Sequence, residues 1–138
     1  NAEEAKQLLI AFLNEKGYKI VDFGSKDTIY ANVAIQVAEA VAAGDYDRGI
    51  LLCGTGLGMS LAANKVPGAL AVPLSDIYSA ERARLSNDAN IACFGAFTVG
   101  SKLMEKLAEV FLINEFVPNC PSQPKVDRIR EYEREKHG

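Results

Sequence analysis

The stretch Gly49-Ile50-Leu51-Leu52-Cys53-Gly54-Thr55-Gly56-Leu57-Gly58-Met59-Ser60 carries the architecture of this chain. Its first five residues, GILLC, are a continuous apolar run. Such a run suits a strand buried on both faces, as in a parallel sheet covered by helices. The glycine-rich segment GTGLG follows at once, and Met59–Lys65 then reads as a helix. Strand, tight loop and helix in that order form one step of a parallel α/β domain.

The same alternation extends in both directions. Downstream, Ala69–Pro73 reads as a strand, Asp76 to about Leu85 as a helix, Asn90–Phe94 as a strand and Gly100–Asn114 as a long helix. Upstream, residues 3–15 place Ala5, Leu8, Leu9, Phe12 and Leu13 on one helical stripe that stops at Lys16-Gly17. Tyr18–Phe23 is a short β-rich run ended by Gly24, and Val33–Ala43 is a helix with Asn32 as its expected cap. A proline-containing break, VPNCPSQP, precedes a charged helix over 125–136. The pattern predicts one domain, 1–138, of the α/β class. Its expected core is a Rossmann-like parallel sheet of about five strands in the flavodoxin-like order, with helices on both faces. A doubly wound sheet normally starts with a strand, whereas this chain starts with a helix. A short apolar strand is therefore expected ahead of Asn1.

Composition narrows the function. With 49% hydrophobic and 24% charged residues, the chain builds a core without metal or disulfide staples. A formal net charge of -3 gives no bulk attraction to nucleic acid or to an anionic membrane, so neither partner is expected. No apolar run approaches the eighteen or so residues of a membrane span, and no signal peptide is recognisable. Cys53, Cys93 and Cys120 make neither a CxxC pair nor a disulfide framework, which suggests a reducing compartment such as the cytoplasm. The single histidine, His137, is the penultimate residue, so no His-based metal site or triad is expected in the domain.

The glycine-rich loop carries the chemistry. Its glycines let backbone N–H groups converge on an anion, and the helix that follows adds its positive end. It lies at the carboxyl end of a strand, where open α/β sheets bind ligands. It is not a P-loop, because no Gly-Lys-Ser/Thr follows, and it differs from the GxGxxG dinucleotide pattern. Cys53, at the strand end and facing a helix N-terminus, suits a reactive thiolate. A base beside an oxyanion cradle is what proton abstraction next to a carbonyl requires. A free cysteine is also commonly a small buried hydrophobe, which is the reading given to Cys93 in IACF.

Residues 49–68 (GILLCGTGLGMSLAANKVPG) and 76–100 (DIYSAERARLSNDANIACFGAFTVG) closely resemble the ribose-5-phosphate isomerase B and galactose-6-phosphate isomerase family. KGYKIVDFG (16–24) and IYANVAIQVAEAVAAGDYDRG (29–49) share the resemblance, which fades after about Phe116. The resemblance implies aldose–ketose isomerisation of a sugar phosphate by a dimer or tetramer with shared active sites, using no metal, nucleotide or other cofactor. It also implies that the C-terminal helix, 124–136, packs on a neighbouring subunit. Cys53 then matches the catalytic base and Thr55 a threonine that contacts the sugar. Gly54, Gly56 and Gly58 match the loop that holds the enediolate, and Asn87 the asparagine of an HNDAN motif. Tyr30 matches a tyrosine near the sugar. Met59 stands where some members carry a glutamate, which favours Cys53 as the base.

The departures matter as well. Ser86 replaces the histidine thought to open the sugar ring. NCPSQPKV replaces an arginine-bearing phosphate segment, leaving Lys125 at the second arginine position and Pro121 near the first. Phe97 stands where an arginine is often found, and the family's N-terminal Asp-His motif is not represented. Arg82 and Arg84 read as a solvated helix face, and Arg128 and Arg130 as members of i,i+4 pairs. Without a histidine the chain suits a substrate that cannot close a ring, such as D-erythrulose 4-phosphate, above ribose 5-phosphate. A non-catalytic sugar-phosphate sensor on the same fold is the alternative. A flavodoxin-type or response-regulator domain lacks its flavin loop or acidic cluster here.

Overall fold

The computed structural model describes residues 2–24 and 27–137. Its elements are α1 (Ala2–Glu15), α2 (Tyr30–Ala42), β1 (Gly49–Cys53), α3 (Leu57–Ala63), β2 (Ala71–Pro73), α4 (Ile77–Leu85), β3 (Ile91–Gly95), α5 (Ser101–Ile113) and α6 (Gln123–His137). The three strands are parallel and lie in the order β1-β3-β2. This differs from the flavodoxin-like order, which would set Ala69–Pro73 beside Gly49–Cys53. The last strand sits between them instead, and burial and proline chemistry account for it. All five residues of β3 are buried, so it takes the central place. β2 is three residues long and ends on Pro73, which has no N–H to give to a ladder; such a strand belongs at an edge.

The expected count of about five strands is not reached among the described residues. Tyr18–Phe23 joins no ladder. Tyr18 and Ile20 pack against the core while Lys19 and Val21 stay exposed, so the period-two pattern is present without a neighbouring strand to pair with. Between this segment and the free edge of β1 runs an open groove of about 1300 Å³, with Leu9, Leu13, Ile20, Val37 and Leu51 among its apolar walls. The strand expected ahead of Asn1 lies outside the described residues.

Helices cover both faces, as expected. On one face, Leu9 and Leu13 of α1, Ala80 and Ala83 of α4, and Met104, Leu107, Ala108 and Phe111 of α5 pack on Ala92 and Phe94. On the other, Ala34, Ala38 and Val41 of α2 and Met59 and Ala63 of α3 pack on Leu51, Ile91 and Cys93. The α5 residues recur at helical spacing and make one fully buried stripe. On α1, Leu8 belongs to the expected stripe but is exposed. α2 starts three residues before the expected Val33, and its first turn is not capped by Asn32. Asp27 caps the approach instead, accepting from Ile29 N–H at 2.9 Å and from Asn32 Nδ2 at 3.0 Å. α6 buries only Val126 and leaves Ile129 and Tyr132 half-exposed.

Phe111 is fully buried and joins α5 to the sheet. Phe111→Ala is expected to lower unfolding free energy by about 3–5 kcal/mol, whereas Leu8→Ala on the exposed face should change it by less than about 0.5 kcal/mol. Urea titrations of the two variants read the difference. Near-equal losses would contradict the packing described.

Candidate active site

β1, β2 and β3 run in one direction, so their carboxyl ends share one edge of the sheet. Cys53 ends β1 and pairs with Gly95, which ends β3. The loop after each strand is therefore delivered to the same place. The Ala96 N–H donates to the Cys53 carbonyl at 2.7 Å, and the Phe97 N–H to the Gly54 carbonyl at 2.9 Å. A side chain at position 95 would collide with the Thr55 backbone, so only glycine lets the two loops close together.

Within the first loop, Gly56 adopts φ +82°, a left-handed conformation that other residues avoid. This bend turns the Gly56 N–H onto Cys53 Sγ at 3.0 Å. Thr55 stands exposed, with Oγ1 accepting from the Leu57 N–H at 3.3 Å. Among the described residues no acceptor engages the N–H of Gly58 or Met59. These groups, rather than the whole dipole of the seven-residue α3, offer donors to an oxyanion. Tyr30, in the first turn of α2, brings its hydroxyl directly over Gly58, in space that any Cβ there would claim. Cys53, Gly54, Thr55, Gly56, Gly58 and Tyr30 thus form one cluster, at the edge where they were expected.

Cys93 lies beneath this loop, wholly buried. Burial pushes its thiol up to about 12, with the nearby Cys53 adding to the effect. It fits its reading as a core residue. Asn64 holds α3 to β2: its side chain donates to the Ala71 carbonyl at 2.8 Å and accepts from the Ala71 N–H at 2.7 Å.

Ser86, Asn87 and Lys125 do not join the cluster within one chain. Ser86 and Asn87 follow α4 and precede β3, at the amino edge of the sheet, where the Gly49 N–H donates to the Asn90 carbonyl. Four strand steps of about 3.3 Å separate that edge from Cys53. The Ser86 hydroxyl is held locally, with the Arg82 carbonyl and Asn87 Oδ1 each at 3.1 Å. The NDAN residues divide their tasks. Asn90 stitches β2 to β3 through Leu70 N–H and the Gly68 carbonyl. Asp88, at φ +53°, binds Arg84 and Arg130 at 3.1 and 2.8 Å. Asn87 alone is exposed. α6 is fastened to the same edge by Arg130 and by Glu133, which accepts from the Gly68 N–H at 2.8 Å. Lys125 stands exposed in its first turn.

The arginines correct the sequence reading. Arg84 is 5% exposed, not a solvated face. Its guanidinium donates to the Ala89 and Asn114 carbonyls and pairs with Asp88 and Glu115, so it is fully engaged within the fold. Arg130 reaches Asp88 rather than a helical neighbour, whereas Arg128 keeps its expected i,i+4 partner by lying over the Tyr132 ring and adds an i,i+3 pair with Glu131. Arg82 makes no ion pair among the described residues and keeps a buried Nε without a partner. Sequence reasoning missed Gly95; the signal was available, since GAF follows an apolar strand as GTG follows GILLC. Among the described residues no three His, Cys, Asp or Glu side chains gather where a metal could sit. No described helix is long and apolar enough to cross a membrane.

Comparison with known proteins bears directly on this edge. The ribose/galactose isomerase family profile matches residues 1–129. The chain belongs to that family. A ribose-5-phosphate isomerase B of Listeria innocua is 47% identical over 131 residues, covering 93% of this chain and 88% of that protein. A D-erythrulose-4-phosphate isomerase of Pectobacterium atrosepticum is 41% identical, covering 99% and 92%. The structure of ribose-5-phosphate isomerase B from Clostridium thermocellum superposes with a TM-score of 0.92 at 38% identity, covering 98% of this chain and 93% of that one. Family membership makes this chain an aldose–ketose isomerase.

Gly58 and Tyr30 give a test of the cluster. Gly58→Ala should displace the Tyr30 ring, leave the fold intact and lower kcat/KM by about tenfold or more. Adding Tyr30→Ala should cost little further, because the two changes disturb one contact and are not additive. Fully additive losses in the steady-state kinetics of the double variant would separate Tyr30 from the loop.

Proposed function

We propose that this chain interconverts a small aldose phosphate and its ketose by moving one proton between adjacent carbons, with Cys53 as the base. The observation that carries the reading is the Cys53 sulfur held by the Gly56 N–H beside the unengaged N–H groups of Gly58 and Met59. The thiolate takes the proton from the carbon next to the carbonyl, giving a cis-enediolate and a neutral thiol. The loop N–H groups hold the developing oxyanion. The thiol then returns the proton to the neighbouring carbon while the hydroxyl proton moves between the two oxygens. Atoms and charge balance without a metal or nucleotide. A base at this position argues against the sensor alternative, since binding alone needs none. A reduced Cys53 suits a cytoplasmic setting.

The substrate is a tetrose 4-phosphate above a pentose 5-phosphate. Ribose 5-phosphate exists mainly as a ring and needs an acid to open it, a task suited to histidine. Here the corresponding hydroxyl, Ser86, is tied to local acceptors. A four-carbon sugar phosphorylated at O4 cannot close a five-membered ring. Relatives of both substrate classes, at 47% and 41% identity, leave the two close. Turnover of ribose 5-phosphate at tenfold greater kcat/KM than erythrulose 4-phosphate would reverse this order.

The active site is shared between subunits of a homodimer or homotetramer. The carboxyl edge offers the base, and the amino edge offers Asn87, Arg82 and Lys125. With α6 largely exposed, its apolar side chains are available to a second copy. In this reading the amino edge of one chain faces the Cys53 loop of its partner.

Cys53→Ala should lower kcat by about 10²- to 10⁴-fold with folding nearly unchanged. Exchange of substrate hydrogen in heavy water should fall with it; wild-type exchange in the variant would disprove the base. Mixing Cys53→Ala chains with Asn87→Ala chains tests the sharing. Each hybrid dimer rebuilds one intact site, so remixed subunits should recover about a quarter of wild-type activity. No recovery after demonstrated subunit exchange would place the whole site in one chain.

A further inference from the structure

Phe97 is 82% exposed, the highest value for any large hydrophobic side chain among the described residues. Exposed apolar side chains scattered singly need no explanation. This one is placed differently. Its N–H donates to the Gly54 carbonyl at 2.9 Å, and the preceding Ala96 N–H donates to the Cys53 carbonyl at 2.7 Å. The turn behind it is closed by the Thr98 and Val99 N–H groups on the Gly95 carbonyl, at 3.1 and 2.9 Å. The ring lies against Gly54, so closely that a Cβ there would sit 3.0 Å from Phe97 Cδ2. A rigid backbone thus holds an almost uncovered ring beside the residue that follows the base.

The geometry points to Phe97 as a specificity-determining residue that stacks on the C–H face of the substrate's carbon chain, directs the anionic head away, and favours a four-carbon chain over a five-carbon one. This rests on the isomerase reading of the Cys53 loop. An aromatic face carries negative quadrupolar charge, so it attracts C–H bonds and disfavours a phosphate placed over it. Residues 95–100 and 53–60 carry no cationic side chain, so nothing on this wall offsets that preference. The ring is therefore a platform for the carbon skeleton, and the phosphate leaves the mouth on another side. Because the backbone hydrogen bonds hold the ring's base in place, it also limits the room for an additional CHOH unit.

The test is kcat/KM for erythrulose 4-phosphate and ribose 5-phosphate in wild type, Phe97→Ala and Phe97→Tyr. Phe97→Ala should lower the tetrose value about tenfold and the pentose value less than about threefold, while Phe97→Tyr stays within about twofold on both. A tetrose-to-pentose ratio that stays within twofold of wild type in Phe97→Ala overturns the proposal. Sedimentation showing that Phe97→Ala dissociates the oligomer, with that ratio unchanged, assigns the ring to a subunit contact and also overturns it. Cys53→Ala, run alongside, separates the two ideas: its loss of turnover together with a neutral Phe97→Ala leaves the isomerase standing and removes Phe97. If wild type turns over neither sugar, the tetrose or pentose assignment falls. The ring is then judged by the Kd of erythronate 4-phosphate against ribonate 5-phosphate, whose ratio must shift by about threefold or more in Phe97→Ala for the proposal to stand.

Discussion

The pairing of β1 with β3 is the constraint on which the site depends. The register that sets Cys53 opposite Gly95 brings the loops after both strands to one level. Two short hydrogen bonds from Ala96 and Phe97 then join them into one unit. A slip of one residue would turn Cys53 to the opposite face of the sheet. The register is held from below by burial: Leu51, Ile91 and Cys93 must face α2 and α3, while Ala92 and Phe94 must face α4 and α5. The apolar core therefore aims the thiol.

Glycine does two distinct jobs around this unit. Gly56 supplies a backbone conformation, and without it the N–H that reaches Cys53 Sγ would point elsewhere. Gly58 and Gly95 supply space, the first for the Tyr30 hydroxyl and the second for the Thr55 backbone. Both kinds of requirement are local, which is why the GTGLG pattern can be recognised without any tertiary information. The same cannot be said of Gly95, whose requirement comes from a loop forty residues earlier in the chain.

The helices, the parallel sense of the strands and the two-sided cover were legible because each is written in the period of apolar residues. Strand order was not. β2 and β3 both read as apolar runs, and only the contest for the centre, decided by full burial of IACFG against a three-residue strand ending on Pro73, separates them. Tyr18–Phe23 failed for a related reason: alternation states which side chains face inward, while a ladder also needs a neighbour with free N–H and C=O groups. Arg84 was misread because its helix looks polar from sequence. The acceptors that bury it, Asn114 and Glu115, lie some thirty residues away, and a charge becomes tolerable inside a fold only when such partners surround it.

The site splits along the same line. Everything near Cys53 comes from loops at the carboxyl edge and was legible as a motif. The residues at the amino edge are set by a second network. Asp88 draws on Arg84 from α4 and on Arg130 from α6, so the peptide carrying Asn87 is braced from two helices at once. Asn87 and Arg82 stand beside this bracing, and among the described residues Arg82 makes no ion pair and keeps a buried Nε without a partner. In the proposed assembly, Cys53 at one edge and Arg82 and Lys125 at the other are complementary halves. Two copies related by a twofold axis can join them twice, each contributing one half to each site. In that proposed assembly, the thin supply of basic side chains around Cys53 would belong to the single chain and not to the complete site.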